Sequence, residues 1–354
     1  MTDSKPAEDS VTGDTPATPI DAATETPGDD ADQTVLFDAT DAPVFTTETP
    51  ATPRKPYVGT LLMRCGAEFV GTALIVFPLL LVYTLSQLVY QYAGLMPIIT
   101  VTALAYGAVS AMFGKLSGAQ FNPAVTIAAM LTSKTPWLEG LLYVVAQVLG
   151  GIAAAAIYLF ALPTSDSVPA STWLTMAVKG FDEASRSSGA LTNAGISFGS
   201  TLAVIVELLA SLVIVGVAVG TLKSDGTADK SHAWAVGLAY GLGAAIAYPV
   251  TGASLNPVHA TGVALLAQGK GLTVEPLSQL WVFWIAPLFA AAIVAIAMIV
   301  NDLVSRAAEN RRLAADSHTR IADLPETGET DVDQVNGAAA SGRTQEEGAI
   351  ADGR

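Results

Sequence analysis

Six apolar stretches, each about as long as a bilayer is thick, constrain this chain more than any other feature. They lie at about 62–89, 94–115, 137–162, 198–222, 232–251 and 277–301. At 1.5 Å rise per residue, about 20 helical residues cross a hydrocarbon layer ~30 Å thick. No water reaches the backbone there, so a spanning segment must satisfy its own N–H and C=O groups, as a helix does. The charges agree with this reading. Residues 57–301 hold 9 acidic and 8 basic side chains, against 12 and 3 in residues 1–56 and 11 and 6 in residues 302–354. The net charge of −15 therefore belongs to the two ends, and a basic nucleic-acid-binding surface is excluded.

The ends are a different kind of sequence. Residues 1–56 are rich in Pro, Thr and Asp and lack an apolar core, which reads as a disordered acidic tail rather than a signal peptide. Residues 302–354 read as a second tail, mostly disordered, with order expected to end near residue 313. With both tails cytoplasmic, nine basic side chains fall on the inner side. Only Lys179, Arg186 and Lys270 fall on the outer side, which fits the positive-inside rule. The lone Cys65 permits no intramolecular disulfide and reads as a buried thiol. No metal-ligand spacing or catalytic motif is present, so neither cofactor nor metal is expected and the chain is not read as an enzyme.

Two shorter apolar segments, about 122–132 and 256–267, cannot cross a bilayer. Each opens with Asn-Pro after a turn rich in small residues: Asn122-Pro123-Ala124 in one case and Asn256-Pro257-Val258 in the other. Asn is a good helix N-cap, and Pro suits the first helical position because its missing N–H would be unpaired anyway. Both segments therefore read as re-entrant half-helices. They also mark a repeat. Glu68 precedes Asn122 in the first half as Glu207 precedes Asn256 in the second, with three spans and one half-helix in each half. An odd number of spans per half inverts the second half relative to the first, bringing the two half-helix N-termini together at the midplane. Each N-terminus carries roughly half a positive charge, so a cation meets two positive ends there while a neutral dipolar solute does not. Asn122 and Asn256 would offer amide donors to water at that point, interrupting a proton wire.

The motifs carry a resemblance. The run from Ser117 to Thr126 resembles the first signature box of the major intrinsic protein (aquaporin) family, and the run from Thr251 to Pro257 resembles the second. Ala67-Glu68-Phe69, Ala146-Gln147-Val148 and the segment from Trp281 to Pro287 resemble the first-, third- and sixth-span motifs, so the likeness covers about 57–301. It implies an all-α membrane bundle of six transmembrane helices and two half-helices. The repeats would span about 57–162 and 198–301, with one pore per subunit and usually a tetramer. It also implies Glu68 and Glu207 as acceptors that hold the re-entrant loops, with Gln147 in a similar role.

The second box departs from the family pattern: where an Arg normally lines the outer filter, this chain has His259. An imidazole with an unperturbed pKa near 6.5 replaces a permanent cation, so the barrier to cations weakens when the ring is neutral. Counting by family spacing places Ala253 and Ala244 in the other filter positions. Thr102 takes the second-span position, or Tyr106 if one helical turn is skipped. These small residues imply a filter wider than a strict water filter. By contrast Ala260, Ala264 and Phe283-Trp284 resemble the water-conducting branch. The expected function is a passive plasma-membrane channel for water, with glycerol-sized neutral solutes as the broader alternative. Rivals from other classes are an inverted-repeat secondary transporter and a non-conducting scaffold.

Overall fold

The computed structural model describes residues 57–88 and 94–322. The acidic segment 1–56, and the part of the C-terminal tail beyond Ala322, lie outside the described residues. Six helices are long and apolar enough to cross a membrane: α1 (Tyr57–Leu88), α2 (Met96–Ser117), α4 (Trp137–Ala161), α7 (Ser200–Gly220), α8 (His232–Thr251) and α10 (Pro276–Ala322). Two short helices follow the Asn-Pro pairs, α3 (Pro123–Leu131) and α9 (Pro257–Ala267). Between α4 and α7 the segment expected on the outer side, called the outer segment below, forms α5 (Ala170–Ala177) and α6 (Ser188–Leu191), with single 3₁₀ turns around them. Among the described residues there is no strand beyond one isolated bridge, Leu222 with Ala228.

The packing repeats as the sequence does. α1 lies on α4 as α7 lies on α10, and α9 seats on α4 as α3 seats on α10. α2 and α8 meet at the centre, where Gly107 and Gly237 face one another and an added Cβ at Gly237 would strike the Ala103 carbonyl. Such small-residue contacts are how helices associate where lipid removes any hydrophobic drive. The perimeter exposes Leu104, Leu141, Leu238 and Phe289, the face an acyl-chain environment accepts.

Two elements differ from expectation. Cys65 is half-buried rather than buried, because it sits on the rim of α1. α10 does not stop at 301, where the expected span ends, or at residue 313, but is one helix of 47 residues from Pro276 to Ala322. Residues 302–316 of it are exposed, and the run Ala307–Asp316 combines alanine with charged residues, a composition of high helix propensity.

Candidate functional site

The two re-entrant loops share one backbone. Gly118 and Gly252 end α2 and α8 in the left-handed region, with φ of 87° and 79°. Ala119 and Phe121 in the first loop, and Ala253 and Leu255 in the second, also have φ between 48° and 58°. Non-glycine residues rarely adopt such angles, and each costs on the order of 1–3 kcal/mol unless the surroundings hold it. A buried glutamate does the holding in each half. Glu68 accepts from the backbone N–H groups of Gln120 (3.0 Å) and Phe121 (2.6 Å) and from the Ser117 hydroxyl (2.6 Å). Gln147 adds a fourth bond to Glu68, 2.8 Å, and also donates to Thr126. Glu207 accepts from Ser254 and Leu255 N–H, both at 2.9 Å, and from the Thr251 hydroxyl at 2.6 Å.

These loops deliver the two asparagines to one point. Asn122 and Asn256 cap their own half-helices, accepting from Ala124 N–H (2.9 Å) and Val258 N–H (3.1 Å). Pro123 and Pro257 stand at the first helical positions. Each amide then donates across the repeat boundary: Asn122 to the Leu255 carbonyl at 3.0 Å, and Asn256 to the Phe121 carbonyl at 2.7 Å. The remaining amide proton of each goes to a tyrosine hydroxyl, Asn122 to Tyr240 (2.9 Å) and Asn256 to Tyr106 (3.0 Å). The two rings stack with centroids 3.3 Å apart and planes within 6°. Asn122 is 1% exposed and Asn256 0%. The hydroxyls take the amide protons that were expected to face water.

Toward the outer side the groups come from five elements. His259 on α9 is 1% exposed. Its Nδ1 lies 3.2 Å from the Ser254 carbonyl; a carbonyl only accepts, so Nδ1 carries the proton. The Tyr83 ring of α1 meets His259 edge-on at 5.6 Å and Tyr248 of α8 at 5.2 Å. The Tyr83 hydroxyl bonds Thr102 at 2.7 Å. Tyr106 is thus committed to the asparagines, and Thr102 is the residue of α2 that joins the outer cluster. Ala244 and Ala253 are fully buried. Beside the small residues at 102, 244 and 253, Tyr83 and Tyr248 bring two large rings to the same cluster. Family spacing could not find these two tyrosines, since neither falls at a counted position.

Spacing also missed Lys179. The outer segment does more than cover the vestibule. The Gly180 N–H donates to the Thr251 carbonyl at 3.1 Å, and Gln279 holds both polar groups of the Phe181 backbone. This turns Lys179 inward until its ammonium lies 4.4 Å over the Tyr83 ring. Burial, with Arg186 beside it, pushes the Lys179 ammonium well below the usual lysine range, against the pull of Glu207. Arg186 is held by the carbonyls of Thr175 and Val178. On the inner side, Lys134 donates to the Val219 and Leu222 carbonyls at the end of α7, and its burial lowers its pKa. The Lys223–Gly226 turn packs against the Lys134 carbonyl through Gly226.

The amino-acid sequence matches known proteins. The family model described as "MIP: Major intrinsic protein" matches residues 59–298. Aquaporin Z of Brucella melitensis biotype 1 is 33% identical over 242 residues, covering 67% of this chain and 96% of the relative. The X-ray structure of the aquaglyceroporin from Plasmodium falciparum matches with a TM-score of 0.49 at 21% identity, covering 66% of this chain and 94% of that one. The chain belongs to the major intrinsic protein family, a family of membrane channels rather than enzymes.

Proposed function

We propose that this chain is a passive channel of the plasma membrane, with both termini cytoplasmic, assembled as a homotetramer and conducting water. Glycerol-sized neutral solutes are the broader alternative. The observation that carries the reading is the meeting of Asn122 and Asn256 at the tips of two opposed half-helices, each donating to the other loop's backbone. Two positive helix ends and two amide donors at one depth favour a neutral dipolar solute over a cation. The relative named aquaporin Z supports water as the solute. His259, Ala253, Ala244 and Thr102 belong to the outer constriction in this reading, and Glu68, Glu207 and Gln147 to the support of the loops. Conduction requires Tyr106 and Tyr240 to part, returning one donor of each asparagine to the lumen.

The test is swelling of proteoliposomes under an osmotic and a glycerol gradient, with the full chain and with its Tyr106→Ala/Tyr240→Ala variant. Water entry above that of empty vesicles is expected, larger in the variant. If neither protein passes water or glycerol, the channel reading falls. Saturable, ion-dependent uptake would favour a transporter instead.

A further inference from the structure

Three buried polar atoms beside the second box have no hydrogen-bond partner among the described residues: His259 Nε2, Lys179 Nζ and Arg186 Nε; the rest of the Arg186 guanidinium is held by the Thr175 and Val178 carbonyls. Lys179 is 3% exposed. Its ammonium lies on one face of the Tyr83 ring, and Tyr83 in turn stands edge-on to His259. Its stem crosses the second signature box beside Gly252, one residue before Ala253; a Cβ at Gly252 would come within 3.5 Å of Lys179 Cδ. The segment is fixed rather than draped, by the Gly180–Thr251 bond and the Gln279–Phe181 pair. An unpaired amine in such a place is costly to bury. A solute in the lumen is the partner that would satisfy both it and the facing imidazole. Glu207 does not serve, because its carboxylate is taken up by Ser254, Leu255 and Thr251.

We infer that Lys179, delivered from the outer segment, supplies the cationic donor of the outer filter in place of the arginine that the second box lacks. The position on the chain has moved, but the charge has not left the constriction. Lys179 hydrogen-bonds the permeating water or hydroxyl-bearing solute together with His259 Nε2, and it repels cations before they reach the half-helix ends. The inference rests on the channel reading given above. Lys179 is outside the two boxes, and nothing in their spacing points to it.

The experiment uses the full chain in proteoliposomes and reads osmotic water entry and cation leak in the same preparation. At a separation of ~6 Å and an effective dielectric constant of ~40, two unit charges repel by about 1.4 kcal/mol, a tenfold factor. Lys179→Met is therefore expected to raise Na⁺ or K⁺ leak about tenfold while water entry persists. Lys179→Arg is expected to keep the leak at the wild-type level. Adding His259→Arg to Lys179→Met is expected to bring exclusion back, because the cation then arises from the box itself. If Lys179→Met does not assemble, Lys179→Gln, polar but uncharged, carries the same expectation. A Lys179→Met or Lys179→Gln channel that conducts water and excludes cations like the wild type overturns the inference and leaves the channel reading standing. Absence of water entry in the wild type and in Tyr106→Ala/Tyr240→Ala alike removes the channel reading instead.

Discussion

The two re-entrant loops are the same device made twice, and they differ in what surrounds them. Their backbones agree closely: Asn122 has φ −148° and ψ 123°, Asn256 has φ −153° and ψ 119°. Each has its glycine, its pair of positive-φ residues and its carboxylate. The first loop, however, is closed from behind by Gln147, which ties Glu68 to Thr126 on α3. Among the described residues no amide side chain plays that part for Glu207. The second loop instead faces the outer segment, with Lys179 and Arg186 against Gly252. The lesson is that backbone geometry is fixed by the repeat, while the chemistry presented to a solute comes from whatever non-repeated element each loop faces.

Four measurements would break or sharpen that comparison. The largest effect is expected from Glu68→Ala or Glu207→Ala. Each leaves two buried loop N–H groups without an acceptor, at about 1–3 kcal/mol per group. The yield of folded protein and its thermal midpoint in detergent should fall sharply for both, and equal losses would confirm that the two halves share one support. Gln147→Met comes next, with a cost of about 1.5–3 kcal/mol for a bond to a charged group. It should lower the thermal midpoint without changing cation leak; a changed leak would mean that the two loops are not separable in this way.

The third is pH. The Lys179 amine is held well below the usual lysine range by burial and by Arg186, with Glu207 opposing. It is cationic below its lowered pKa and neutral above. Cation leak through the wild type should therefore rise as pH is raised through that value, by up to about tenfold. Tyr83, His259, Arg186 and Glu207 also face this group. The control is Lys179→Arg, which should stay tight over the same range; a leak that rises equally there assigns the effect to another of these groups. The smallest effect is expected from Tyr240→Phe, which frees one Asn122 proton. At about 1 kcal/mol net per hydrogen bond, the tyrosine-held state should lose about fivefold in population. Stopped-flow swelling would show this as faster water entry, and slower entry would contradict the proposed parting of the tyrosines.

Much of the fold was legible because its signals are local. A run of about 20 apolar residues announces a span within its own length, and Asn-Pro after a glycine-containing turn announces a half-helix start. The asparagines and glutamates could be named because they recur at matching places in two halves, and Gln147 because its segment resembles the family's third-span motif. The cluster around His259 was less legible: His259 and Thr102 fall at counted positions, but Tyr83, Lys179 and Tyr248 come from other elements that no spacing rule links to them. Counting by family position produced three small residues and could not register that Tyr83 bonds Thr102 and meets Tyr248. Lys179 entered the sequence argument only as one of three outer-side charges. What distinguishes it is the turn at Gly180 and Phe181, fixed by Thr251 and by Gln279, 98 residues away in the chain. The tyrosine pair was hidden for a related reason: Tyr106 and Tyr240 lie on different halves, and only the crossing of α2 and α8 stacks them.

The length of α10 has a consequence on the cytoplasmic side proposed for both termini. From about residue 301 the helix runs on to Ala322, which at 1.5 Å per residue is a rod of ~30 Å. Arg306 and Asp302 brace its first turns with an ion pair four residues apart. Ala322 thus stands about one bilayer thickness, along the helix axis, beyond the apolar stretch that ends near 301.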